Sequence, residues 1–152
     1  VAKKRNFKVT ASAKIKAGAK QPRFSCVAYT GAKMDLYGFD LPLVIDLTGM
    51  TTHSQARPAL MDHCPYKENV AGQSDAIRIL PTRLEVDGFI LRSTEAGRDV
   101  LDMAQEGFTW QMSVGCDIPD EADVEEVRAG ESVRVNGQNN SPGRSLVCRD
   151  GR

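Results

Sequence analysis

Apolar and polar side chains alternate from Phe7 to Ala17: Phe7, Val9, Ala11, Ala13, Ile15 and Ala17 fall on one side, Lys8, Thr10, Ser12, Lys14 and Lys16 on the other. A period of two predicts a strand with one wet, positive face. Alanine is a poor strand former, so an extended arm that orders only on contact is the alternative. Residues 18–22 then read as a linker. From Phe24 the run FSCVAYTG predicts an apolar, aromatic-bearing strand, and LVIDLTG a short buried one. Pro58 and Pro65 break any long helix in the stretch between Met50 and Gly72, and ALMDH between them reads as a strand or tight extended segment.

The middle of the chain is clearer. AIRIL, RLEV and FILRST are strand-like, and Asp87-Gly88 is a strong hairpin signal between the last two. Thr94 caps an expected helix from Glu95 towards Gln105, with Ala96, Val100, Leu101 and Ala104 as its apolar stripe and Gly107 as its stop. FTWQMSVGCDI follows as a strand. Residues 117–131 carry seven acids against Arg128 alone and read as a solvated surface loop, with a lid over a site or a mimic of charged substrate as the alternatives. Short strands SVRVNG and SLVCR flank a polar loop through Asn139, Asn140 and Pro142. The pattern predicts one β-rich α+β domain with an antiparallel, barrel-like sheet and one or a few helices. Strand and helix do not alternate, and neither GxGxxG nor GxxxxGK[ST] occurs, which argues against a doubly wound nucleotide-binding fold.

Charge divides this picture. The 152 residues hold 20 basic and 20 acidic side chains, but residues 1–23 carry eight bases and no acid, leaving a body with a net charge of −8. Residues 1–23 are therefore a basic N-terminal arm or edge strand, attached to an acidic domain over 24–152. The arm could contact nucleic acid or an acidic partner. Its aromatics are sparse, Phe7 and Phe24 alone lying among the bases, so nucleic acid enters only as non-specific contact of the arm. Cys26, Cys64, Cys116 and Cys148 form no CxxC pair, and no metal or other cofactor is expected. No apolar run is long enough for a membrane helix, and reduced thiols in a cytoplasmic compartment are the expectation.

Catalytic residues are constrained by count. A serine hydroxyl needs a base, and the chain has two histidines, His53 and His63. The foremost serine is Ser113 in GFTWQMSVGC. On a strand, Trp110, Met112 and Val114 share the core face, while Thr109, Gln111, Ser113 and Gly115 share the other. Gln111 stands where a nucleophile elbow needs glycine, so this is no α/β-hydrolase motif. A packing serine and a structural histidine remain the alternatives.

The order of FSCVAYTG, ALMDHC with the following glycine of NVAG, the pair RLEVDGFIL, and the Gly-aromatic…Ser-x-Gly strand GFTWQMSVGC resembles the tailed-phage prohead (capsid maturation) serine proteases, relatives of the herpesvirus assembly protease. The resemblance covers roughly residues 24 to 152. It implies a herpesvirus-protease-like fold, with His63 as general base and Ser113 as nucleophile, 50 residues apart. It implies acyl-enzyme cleavage of capsid or scaffolding protein inside the prohead, in the cytoplasm of a bacterial host, with a homo-oligomer left open. The phage family places an acid in a Leu-x-Glu-[Ile/Val]-Ser strand beyond the final polar loop, and this sequence ends at Arg152 before one. The expectation is thus a domain lacking its last strand, with His53 as the substitute third member, since the herpesvirus relatives use a second histidine. Asp62 is a weaker substitute, because its side chain should point away from that of His63. Two readings compete: a non-catalytic capsid-assembly or scaffold-binding domain on the same fold, and a small nucleic-acid-binding β-domain that uses the arm.

Overall fold

The computed structural model describes residues 11–35, 39–113, 115, 124–140 and 145–149. Among them the strands are β1 (Ala11–Ser12), β2 (Lys14–Lys16), β3 (Arg23–Tyr29), β4 (Leu43–Ile45), β5 (Pro58–Leu60), β6 (Val70–Ile79), β7 (Leu84–Ile90), β8 (Gln111–Met112), β9 (Val124–Val127), β10 (Val133–Val135), β11 (Gln138–Asn140) and β12 (Ser145–Cys148). Helix α1 spans Glu95–Gln105. The chain is α+β and β-rich. An antiparallel sheet has the order β2-β3-β7-β6-β5. A second sheet, β4-β12-β9, is mixed, because β12 runs parallel to β4 and antiparallel to β9. β1-β8 and β10-β11 are separate antiparallel pairs. Among the described residues each sheet is open at its edges, and no helix is long and apolar enough to cross a membrane.

Alternation explains the main sheet. β3 buries Phe24, Cys26 and Ala28 and exposes Arg23 and Ser25, so one face meets the core and the other meets water. On the wet face Arg23 makes a bidentate pair with Asp75, both bonds at 2.8 Å, and Arg78 spans to Glu85 and Asp87. One core cluster holds Cys26, Tyr29, Met34, Leu43, Ile45 and Leu84. Another joins Phe24, Ala71 and Ile90 to Ala96, Val100 and Leu101 of α1. The helix starts and ends where its signals put it: the Thr94 hydroxyl accepts from Gly97 N–H at 3.1 Å, and Gly107 follows with φ +91°. Gly97 lets α1 lie against the sheet, since a Cβ there would sit 1.8 Å from Leu91 O.

Several expectations are corrected. Asp87-Gly88 is not a turn; both residues lie inside β7, and the reversal occurs at Pro81-Thr82, where Leu80 N–H donates to Arg83 O at 2.9 Å. The glycine serves close packing instead, because a Cβ on Gly88 would lie 2.5 Å from Phe24 Cζ and 2.3 Å from Gln73 O. The strand read in LVIDLTG stops at Ile45, where Asp46 caps a 3-10 turn over Leu47–Gly49. Among the described residues, the strand of FTWQMSVGCDI covers Gln111–Met112, with a bridge at Gly115; Val114 and 116–118 lie outside them. The acidic segment is not wholly loop, since Val124–Val127 pairs with β12; its residues 117–123 lie outside the described residues. The polar loop is partly β11, joined to β10 by Asn136-Gly137 with φ of 54° and 75°, the positive pair of a type I′ hairpin. Pro22 at the end of the expected linker is fully buried, and its carbonyl accepts from Ile90 N–H at 2.8 Å. Residues 1–10 of the arm lie outside the described residues.

Candidate active site

The His63 side of the site begins at β5, which pairs with the long β6 at the edge of the main sheet. Ser74 of β6 is buried and anchors the approach to β5. Its hydroxyl donates to Gln55 O at 2.6 Å and accepts from Arg57 N–H at 2.9 Å, while Ser74 N–H donates to Arg57 O at 2.8 Å. After Leu60 the chain tightens into a 3-10 turn over Met61–His63, closed by Cys64 N–H donating to Met61 O at 3.0 Å. The extended reading of ALMDH therefore holds only to Leu60. Asp62 and His63 adopt φ of 52° and 57°, the left-handed region that costs an L-residue roughly 1–2 kcal/mol. Strained backbone of this kind concentrates where a side chain must be aimed. The side chain aimed here is an imidazole.

The Ser113 side begins at the end of α1. Phe108 and Trp110 meet edge to face, with ring centroids 4.9 Å apart and an interplanar angle of 69°. The Trp110 indole N–H donates to Val100 O at 3.0 Å, which fixes the start of the strand on the helix. Trp110 and Met112 turn inward onto the core clusters, Thr109 and Gln111 face water, and Ser113 is half-buried. Met61, two residues before His63, packs on the same cluster as Met112, one residue before Ser113. Shared packing on one apolar cluster brings together two segments that are 50 positions apart.

The outcome is a direct hydrogen bond between His63 Nε2 and Ser113 Oγ. With the proton on Nδ1, the Ser113 hydroxyl donates to Nε2, the arrangement needed for a base to take that proton. His63 is exposed and Ser113 half-buried, so a peptide can reach the pair from solvent.

His53 lies elsewhere in bonding terms. It is exposed in the loop between Gly49 and β5, and it makes no hydrogen bond with His63 or with any other described residue. Asp62 likewise makes no hydrogen bond or ion pair with a described residue, and His63 Nδ1 has no partner among them. Two of the thiols are withdrawn into the core, while Cys64 is half-buried and Cys116 lies outside the described residues. Cys26 and Cys148 are buried, and burial, assisted by the charge of Asp87, pushes the Cys26 thiol up to about 11. Among the described residues no three His, Cys, Asp or Glu side chains converge as a metal site would require. Comparison of the chain with protein-family models, with curated proteins and with solved structures gives no match.

Sequence reasoning missed two contributors. One is the arm, whose residues 11–13 form the partner strand of β8. Strand alternation was visible there, but no local signal names a strand's partner. The other is Ser74, whose buried hydroxyl holds the segment leading to His63 and looks in sequence like any strand serine.

Proposed function

We propose that the chain is a serine endopeptidase of the prohead-protease type, with a herpesvirus-protease-like, barrel-like sheet, and that Ser113 and His63 carry its chemistry. The hydrogen bond between Ser113 Oγ and His63 Nε2 is the observation on which this reading stands. In the reaction Ser113 Oγ attacks the scissile carbonyl carbon while its proton passes to Nε2. The tetrahedral adduct then expels the amine, which takes that proton from the imidazolium and leaves an acyl-ester on Ser113. Water, giving a proton to His63, attacks the ester and releases the new carboxyl terminus, and the proton returns to Ser113 Oγ. The substrate is an extended segment of capsid or scaffolding protein, met within the assembling prohead in the bacterial cytoplasm.

The lack of a described partner on His63 Nδ1 favours the second reading, a non-catalytic scaffold-binding domain. Removing the orienting group from a triad costs about 10⁴-fold in turnover. A fluorophosphonate probe separates the two. The protease reading expects stoichiometric labelling at Ser113, abolished in Ser113→Ala and His63→Ala, and cleavage of scaffold or capsid-protein tails that falls by on the order of 10⁶-fold in either variant. Unlabelled parent protein that nevertheless binds those tails supports the binding domain.

A further inference from the structure

The basic arm enters the fold as one bent strand shared between two sheets. β2 pairs with β3 through Lys14↔Ser25, Ile15↔Phe24 and Lys16↔Arg23, which ties it to the main core. β1, just before it, leaves that sheet and pairs with β8 through Ala11↔Met112 and Ser12↔Gln111. Ala13 lies between the two and donates its N–H to Trp110 O at 2.8 Å. Hydrogen-bonded and non-bonded pairs alternate in an antiparallel ladder. Ala13–Trp110 and Ala11–Met112 are therefore the bonded pairs, and the Ser12 N–H points away from β8. Ser113 is the next residue after Met112.

The two halves of the site differ in support. His63 follows a strand of the main sheet, whereas β8 has β1 as its sole strand partner among the described residues. We propose that Ala11–Ala13 is a positioning segment for Ser113: its backbone pairing holds β8 so that Oγ meets His63 Nε2. The proposal rests on the protease reading for its consequence in turnover, but its geometry can be tested without turnover. Charge plays no part in it, since Lys14 and Lys16 point to solvent from β2.

The test compares two proline substitutions in the full chain. Ala13→Pro removes the N–H that Trp110 O accepts, and Ser12→Pro removes one that faces away from β8. The first readout is the ¹⁵N shift of His63 Nε2, calibrated with Ser113→Ala, which lacks the bond. Ala13→Pro is expected to take the Ser113→Ala shift and Ser12→Pro the parental one, both with a thermal midpoint near that of the parent. The second readout is turnover. Ala13→Pro is expected to lose about 100-fold in kcat, the scale of a 1 Å misplacement, with KM retained. Should Ala13→Pro fail to fold, Ala11→Pro, which removes the N–H facing Met112, carries the same expectation. A folded Ala13→Pro or Ala11→Pro with the parental His63 shift overturns the proposal, as does a Ser12→Pro that loses the bond equally. A parent that never labels or cleaves, yet shows the expected shifts, overturns the protease reading and leaves the positioning intact.

Discussion

Met61 and Met112 pack against one apolar cluster, although 51 positions apart; Met61 stands two residues before His63 and Met112 one before Ser113. Their side chains join the turn that carries His63 to the strand that leads into Ser113. Met61→Ala and Met112→Ala should each cost about 2 kcal/mol in urea unfolding, the low end for truncating a core methionine, because both are only partly buried. Both should also slow fluorophosphonate labelling of Ser113. Leucine at either position conserves volume and should retain most of both properties. Equal labelling rates in parent and alanine variants would show that the cluster does not hold the site.

Asn136 is the polar counterpart of that link. Buried at 5% exposure with φ 54°, it donates to Gly31 O at 3.1 Å and Ile45 O at 2.7 Å and accepts from Leu47 N–H at 2.8 Å. Asn136→Gly keeps the left-handed backbone without strain but strands three buried backbone groups, and should cost about 3 kcal/mol. Asn136→Asp retains the acceptor and faces two carbonyls with a negative charge, so it should be at least as damaging. Denaturant midpoints of the two variants check both expectations.

Acid should weaken the sheet that contains β4 and β12. Burial alone would raise the pKa of Asp46, but hydrogen bonds from Thr48 and Arg149 outweigh it and hold the carboxyl below its ordinary value. A carboxyl with a lower value folded than unfolded contributes stability above the unfolded value, about 3.9, and loses it as pH falls through the folded one. The urea midpoint should therefore drop below about pH 4. Asp46→Asn should start lower at neutral pH and change less across that window.

Two glycines offer a matched test of packing. Gly88→Ala would drive a Cβ to 2.3 Å from Gln73 O, a backbone atom that cannot give way without breaking the β6-β7 pairing. Gly18 has open space around the same position. Gly88→Ala should cost about 3 kcal/mol or prevent folding, at the upper end for single substitutions, and Gly18→Ala should be close to neutral. Thermal melts of the pair suffice.

Local signals in the sequence were reliable where the physics is local. Thr94, the 96/100/101/104 stripe and Gly107 set the helix ends, because capping and amphipathicity act within a few residues. β3 was legible from its alternation for the same reason. Asp87-Gly88 misled because a turn dipeptide competes with the register of the ten-residue β6 and with the room that the Phe24 ring requires. Asn136-Gly137, with the same kind of signal, does make the turn, since only short strands flank it. The parallel pairing of β4 with β12 joins residues about a hundred positions apart and leaves no mark on either segment. At the site, the scarcity of histidine narrowed the base to two residues and strand alternation put Ser113 on the open face. Their meeting was expected only through a family resemblance, because it depends on tertiary packing between Met61, Met112 and the helix.

The thinness of the β1–β8 pair has a further consequence for how the molecule fails. Sub-global opening starts where the fewest cooperative hydrogen bonds must break, well below the free energy of complete unfolding. Two residues facing two are such a place, whereas β6 and β7 share a long ladder. Heating should release β8, and Ser113 after it, while the main sheet is still folded. The His63–Ser113 hydrogen bond would then be lost before the ellipticity, amide protons of Gln111 and Met112 would exchange ahead of those in β6, and a limited protease would cut at Ala11–Ala13 before it cut in β6 or β7.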